Sequence, residues 1–279
     1  MSEPVLYLVG TPIGNLGDLS PRCREILSAV DFIAAEDTRN TLKLLNYLGI
    51  KKPLISYFEH NKRERGMEIL ARIQEGKTCA LVTDAGMPGI SDPGEDLVKL
   101  LAEEGYEVSV VPGPCALISA LVLSGLPTGR FSFQGFLSTA KKNRREHLEG
   151  VKYIRETLIF YEAPQKLRNT LQDLLEHLGD RRIALCRELT KLHETVQRGT
   201  VSEMIAFYEE NDPRGEYVIV AEGASEEKQE TVFWEKLSPA AHVEYYVETG
   251  LSKKDAIKAA ASDRGVPKNE IYNEVMKKA

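Results

Sequence analysis

The sequence predicts an α/β protein: two α/β domains followed by a small helical segment. Three observations carry that prediction. Short apolar runs of strand length recur through most of the chain, separated by stretches of helical periodicity. Several of these runs lead straight into turns dense in glycine and proline, at Gly10–Gly17, Asp84–Gly94 and Pro112–Pro114. From Pro239 onward only short helical patterns follow. Leu126-Pro127-Thr128-Gly129 marks a boundary, which gives α/β domains at residues 1–126 and 127–224. Polar Ala224–Glu230 reads as a linker to a helical segment at 232–279.

Composition narrows the function classes. A chain of 279 residues with 42% hydrophobic and 28% charged residues is globular rather than disordered. The net charge of −6 carries no global nucleic-acid signature, so any RNA binding must use local basic patches. Cys23, Cys79, Cys115 and Cys186 show no metal-ligand spacing and read as reduced thiols of a cytosolic protein; no metal is expected. Met1–Pro4 lacks the basic region of a signal peptide, and no apolar run approaches membrane-spanning length.

Val5–Val9 predicts the first strand, and Ser20-Pro21 the cap and first residue of the helix after it. The intervening Gly10-Thr11-Pro12-Ile13-Gly14-Asn15-Leu16-Gly17-Asp18 lacks the Gly-Lys-Ser/Thr of a triphosphate loop and the glycine spacing of a dinucleotide loop. Phe32–Ala35 predicts a second strand ending in Glu36-Asp37-Thr38-Arg39-Asn40. Asp37 or Thr38 caps the next helix and Gly49 closes it, which leaves Glu36 and Arg39 open to substrate contact. Leu54–Tyr57 predicts another strand, followed by a helix to Gly76.

Cys79–Val82 predicts a buried strand, and a helix starts at Glu95. Between them, three glycines and two prolines within Asp84–Gly94 can continue neither element, so the chain turns sharply with little side-chain bulk. Tyr106–Val111 predicts a strand that ends in the third such turn. Parallel strands would put all three turns on one sheet edge, where α/β sheets bind ligands.

Phe131–Phe133, Thr157–Tyr161, Ile183–Cys186 and Tyr217–Ala221 predict the strands of the second half. Lys141, Lys142, Arg144, Arg145, Lys152 and Arg155 make the strongest basic patch, which suits an exposed amphipathic helix as well as phosphate binding. Leu167, Leu171, Leu174, Leu175 and Leu178 form a core stripe. Charged residues crowd Arg187–Glu194 at the end of a buried strand, which favours a site; His193 alone reads as a surface histidine. Ser252, with Asp255 three residues on, predicts a helix cap in a segment that suits a helix-turn-helix.

Gly10–Leu16, Glu36–Arg39, Asp84–Gly94, Val111–Pro114, Phe160–Pro164 and Arg187–Lys191 jointly resemble the tetrapyrrole-methylase superfamily, in particular its small-subunit ribosomal RNA methyltransferases. The resemblance covers nearly the whole chain. It implies S-adenosylmethionine in a cleft between two α/β domains, a homodimer, and methyl transfer to the ribose 2′-hydroxyl of a cytidine in the decoding region. Implied cofactor contacts are Pro12, Met87, Pro88, Ile90, Ser91, Cys115, Ala116, Tyr161 and Ala221, with Asp84 at the pocket edge. Deprotonating the hydroxyl calls for a base within hydrogen-bond reach, drawn from Lys191, Glu188, Glu36 and Asp37, the first two ahead. Lys191 would need a lowered pKa to serve. Arg39 and the patch of Lys141, Lys142, Arg144 and Arg145 are the expected phosphate holders. The alternatives are a methyltransferase of a corrin precursor and a nucleic-acid-binding regulator that senses a ligand.

Overall fold

The structure is a computed structural model and describes residues 3–225, 234 and 237–276. The linker expected at Ala224–Glu230 lies mostly outside the described residues, as do parts of 232–279 at both ends. The chain divides into two compact units, Met1–Gly223 and Ala224–Ala279. Among the described residues the strands form two five-stranded sheets, both in the first unit.

The first sheet holds β1 (Leu6–Val9), β2 (Phe32–Ala35), β3 (Leu54–Ser56), β4 (Cys79–Val82) and β5 (Val108–Val111) in the order β3-β2-β4-β1-β5, all parallel. β2 and β4 are buried at every position because both faces are covered. Phe32, Ala34, Cys79 and Leu81 face α3 (Lys62–Gln74) and α4 (Gly94–Glu103). Ile33, Ala35, Ala80 and Val82 face α1 (Pro21–Ala29) and α2 (Thr38–Leu48). Local chemistry sets the helix ends. Ser20 accepts from the Cys23 amide ahead of Pro21, Asp37 caps α2, and Gly49, at φ 71°, closes it. Parallel pairing therefore brings the turns after β1, β2, β4 and β5 to one edge.

The second sheet holds β6 (Phe131–Phe136), β7 (Thr157–Glu162), β8 (Arg182–Arg187), β9 (Thr195–Thr200) and β10 (Tyr217–Ala221) in the order β6-β7-β10-β8-β9. Only β6 and β7 are parallel; β10 runs antiparallel to both of its neighbours, with Tyr217 opposite Glu162 and Arg187. The carboxyl ends of β6, β7 and β8 thus share an edge with the amino end of β10. One face packs on α6 (Lys141–Val151), α7 (Pro164–Leu178) and α8 (Val201–Glu210). The other face packs on Leu117, Ala120 and Leu121 of α5 (Ala116–Ser124), the helix that follows β5 of the first sheet. One helix therefore ties the two sheets together.

The second unit is α9 (Pro239–Glu248), α10 (Lys253–Asp263) and α11 (Lys268–Met276) around Val243, Ala256, Ile257, Ala260 and Ile271. Ser252 caps α10 by accepting from the Asp255 amide. Among the described residues, no helix is long and apolar enough to cross a membrane.

Candidate active site

Three turns of the first sheet form one block. Thr11 and Gly86 exchange backbone hydrogen bonds of 2.9 and 3.1 Å, and the Thr11 hydroxyl donates to the Thr83 carbonyl at 3.2 Å. Gly10 and Gly113 meet backbone to backbone. A Cβ on Gly10 would stand 2.7 Å from the Gly113 Cα and 2.7 Å from the Met87 sulfur, so only glycine allows the contact. The Asp92 carboxylate organises the middle turn: it accepts from the amides of Gly89 at 2.9 Å, Ile90 at 3.1 Å and Gly94 at 2.8 Å. Glu36 reaches across from β2, accepting from the Thr83 hydroxyl at 2.5 Å and the Asp84 amide at 3.3 Å.

The second sheet supplies the facing wall. Lys191 donates to Glu188 Oε1 at 3.0 Å and to Glu216 Oε2 at 2.9 Å, and the Glu216 amide donates to that same Glu188 oxygen at 2.9 Å. This clamp pins the turn after β8 to the start of β10. A Cβ on Gly14 would stand 2.3 Å from the Lys191 Cγ, so the first turn lies directly against the clamp. Tyr161 accepts from the Leu117 amide at 3.2 Å and packs against Phe133 and Phe136, with ring centroids 4.9 and 5.5 Å away. Below it, Glu162 is 3% exposed and accepts from the Ala163 amide at 2.9 Å and from the Thr170 hydroxyl. Arg144 in turn donates to that hydroxyl at 2.7 Å.

A cleft of ≈ 500 Å³ lies between the two sheets' edges. Asp84, Met87, Ile90, Ser91, Cys115, Ala116 and Tyr161 line it, together with Glu36, Glu188 and Lys191. Pro12 lies instead in a smaller neighbouring groove, and Pro88 is buried outside the cleft lining. Ala221 pairs with Leu158 and Ile183, at the far end of its strand. Its expected place is taken by Tyr217 and Val218, because β10 is antiparallel and presents its amino end to the cleft. Asp37 and Arg39 stay outside the cleft, joined in an ion pair of 2.6 Å. Glu162, part of the Phe160–Pro164 motif, lines the cleft too, as do Phe136 and Glu216, which no sequence motif marks. A glutamate just before a strand is no signal until the strand's direction is known.

The basic patch divides. Arg144 pairs with Asp173 and its side chain is 12% exposed, so it holds α6 to α7. Lys141, Lys142 and Arg145 remain exposed, around a shallow depression that also carries Glu146 and Glu149.

The non-glycine residues with positive φ among the described ones all stand at this site: Ser91 at 63°, Glu188 at 51° and Thr190 at 66°. Such conformations persist only where the surroundings hold them, and they cluster at functional sites. Electrostatics separate the candidate bases. Burial raises the Asp84 carboxyl above the usual range, the Asn40 amide opposes this, and the charge of Glu36 adds to it. The Arg39 guanidinium holds Asp37 down at about 2. Burial acts to lower the Lys191 ammonium, but its bonds to Glu216 and Glu188 outweigh burial and the net direction is up. Burial acts to raise Glu188, and its bonds to the Glu216 amide and Lys191 bring it below its ordinary value. Lys191 is therefore an ammonium in this setting, contrary to the lowered pKa a lysine base requires. Burial, with a smaller effect of Cys115, pushes Tyr161 to about 12. Among the described residues, no group of three or more His, Cys, Asp or Glu could hold a metal ion.

Residues 5–205 match the family model described as Tetrapyrrole (Corrin/Porphyrin) Methylases. A relative from Halalkalibacterium halodurans named ribosomal RNA small subunit methyltransferase I is 51% identical, covering 96% of this chain and 93% of its own. Relatives of the same name from Bacillus subtilis and Escherichia coli O157:H7 are 48% and 42% identical, over 96% and 97% of this chain and 93% and 94% of theirs. Among solved structures, uroporphyrin-III C-methyltransferase from Thermus thermophilus complexed with S-adenyl homocysteine shares the fold at TM-score 0.54 and 19% identity, covering 77% of this chain and 96% of that one. Diphthine synthase does so at TM-score 0.59 and 14% identity, covering 79% and 90%.

Proposed function

The chain belongs to the ribosomal RNA small subunit methyltransferase I family, within the tetrapyrrole (corrin/porphyrin) methylases, and we propose on that footing that it transfers a methyl group from S-adenosylmethionine to small-subunit ribosomal RNA. The target we propose is the ribose 2′-hydroxyl of a cytidine in the decoding region. The observation that carries the reading is the cleft where three turns rich in glycine and proline meet the clamped edge of the second sheet. Its chemistry suits the cofactor. Met87, Cys115, Ala116, Phe136, Leu189 and Val218 give an apolar lining, while Glu36, Asp84, Glu188 and Glu216 give an acidic rim for ribose hydroxyls and positive charge. When bound, S-adenosylmethionine supplies a methyl group already made electrophilic by its sulfonium.

The protein's tasks are then alignment and proton removal. The Asp92-organised turn and the Gly10–Gly113 contact hold the cofactor wall rigid. Asp84 is the base we assign: it lines both the main cleft and the neighbouring groove, and its pKa is shifted toward neutrality. Glu36, bonded to the Asp84 amide, fixes its backbone. Lys191 and Glu188 act as the clamp rather than as bases. To exposed Lys141, Lys142 and Arg145 and to the Arg39 end of α2 we assign contact with phosphates.

The homodimer we propose uses the edge strand β5 and the outer face of α5, where Val110, Ile118 and Val122 are 46%, 43% and 66% exposed. Light scattering on the intact chain and on Val122→Glu tests it: dimer and monomer respectively are expected, and a monomeric intact chain refutes it. We place the protein in the cytoplasm, where its substrate and its buried thiols both belong.

The deciding experiment is transfer of labelled methyl from S-adenosylmethionine to unmodified small subunits, to naked small-subunit RNA and to a tetrapyrrole precursor. Label in the RNA, at a 2′-O position by mass spectrometry, is expected. Label in the tetrapyrrole alone overturns the reading.

A further inference from the structure

Beside the main cleft lies a groove of ≈ 270 Å³ between the first turn and α2. Asn40, Lys43, Leu44 and Tyr47 form its helical wall, at positions i, i+3, i+4 and i+7 of one face. Pro12, Gly14 and Leu16 form the opposite wall. Thr83 and Asp84 line the groove and the main cleft alike, so the two spaces adjoin at the proposed base.

Its walls present an aromatic ring, an aliphatic side chain and a cation to solvent. Tyr47 is 63% exposed and Leu16 43% exposed, so the core uses neither fully. The Lys43 ammonium donates to the neutral Asn40 amide oxygen at 3.3 Å. The Asn40 amide nitrogen donates to Asp84 at 3.2 Å, which couples this wall to the proposed base. An exposed aromatic face, a cation and an amide along one groove are what unpaired nucleotides use: a ring for stacking, a positive charge for phosphate, a donor for base edges.

We propose that this groove seats an unpaired RNA nucleotide flanking the methylated one, with Tyr47 stacking on its base and Lys43 meeting its phosphate. The identity of the ligand as RNA rests on the methyltransferase reading above. The carboxylate of Asp84 repels phosphate, so the phosphate lies toward Lys43 and the ribose of the target toward Asp84. Holding the neighbour fixes the strand's register while the target leaves its stack.

The test is direct binding, by fluorescence anisotropy, of a short fluorescein-labelled single-stranded RNA of small-subunit sequence to the full chain. Tyr47→Ala is expected to weaken binding about 10-fold, within the usual range for one base–aromatic stack, while Tyr47→Phe keeps it. Lys43→Gln is expected to lower the salt slope of binding by about 0.7. Methylation kinetics should show a raised RNA KM for Tyr47→Ala, with kcat and S-adenosylmethionine affinity unchanged. Failure of the intact chain to bind the RNA, or equal binding by Tyr47→Ala, overturns the proposal. RNA binding that depends on Tyr47 without any methyl transfer would keep the groove and remove the methyltransferase reading.

Discussion

Asp92→Ala tests the rigidity of the middle turn. The carboxylate serves three backbone amides. Those of Gly89 and Gly94 are partly buried, and alanine leaves them without an acceptor; the Ile90 amide is exposed and water replaces its partner. At about 1 kcal/mol net for each partly buried bond, the loss is about 2 kcal/mol. If the turn opens locally before ligand binds, S-adenosylmethionine affinity falls about 30-fold, at about 1.4 kcal/mol per decade. If the cost is global, the thermal midpoint drops by about 4–8 °C for a unit of this size. Asp92→Asn keeps one acceptor oxygen and should fall between. Titration calorimetry with S-adenosylmethionine, alongside thermal unfolding, separates the two cases. Affinity and midpoint both within error of the intact chain would refute the assignment of Asp92 as organiser of the turn.

Other substitutions probe other parts of the site. Because the folded chain raises the Asp84 pKa above its ordinary 3.8, it holds that proton more tightly than the unfolded chain does. Stability therefore declines as pH rises through that window, and ionised Asp84 is a cost at neutral pH. Asp84→Asn should abolish methyl transfer yet raise the thermal midpoint at pH 7, with the gain vanishing once the carboxyl is protonated; a lowered midpoint at pH 7 would contradict this. Gly113→Ala forces a Cβ to 2.8 Å from the Gly10 Cα, with backbone on both sides. It should cost about 1–3 kcal/mol in denaturant unfolding, as overpacking does. Thr170→Val strands a Glu162 oxygen and an Arg144 nitrogen, and the same measurement should show a loss of about 1–3 kcal/mol.

Much of the first sheet is legible in the sequence because its strands are apolar on both faces and its turns are marked by glycine and proline. The expectation that these turns share an edge needed only parallel pairing. The second sheet is harder. β9, Thr-Val-Gln-Arg-Gly-Thr, is an edge strand with mostly half-exposed residues, and it carries no apolar run to betray it. The direction of β10 has no local signature at all, since Val218-Ile219-Val220 reads alike both ways. The family resemblance implies Ala221 at the cleft, and Tyr217, Val218 and Glu216 line it instead. Charge patterning misleads in a similar way at Arg144: the sequence shows a basic cluster, while the partner that claims it, Asp173, lies 29 positions away. Lys191 stands among acidic neighbours in sequence, but its second partner, Glu216, 25 positions on, shows only once the chain folds back against it.

The meeting of Gly10 and Gly113 has an evolutionary side. Each position forbids a side chain because of the other's main chain, so neither can change first and no compensating partner can be gained by a single step. A randomised library at both codons, selected only for folded protein, should return glycine at each. Diversification of this scaffold toward new substrates is thereby confined to what projects from the turns and from the helix faces around them, while the crossing itself stays frozen.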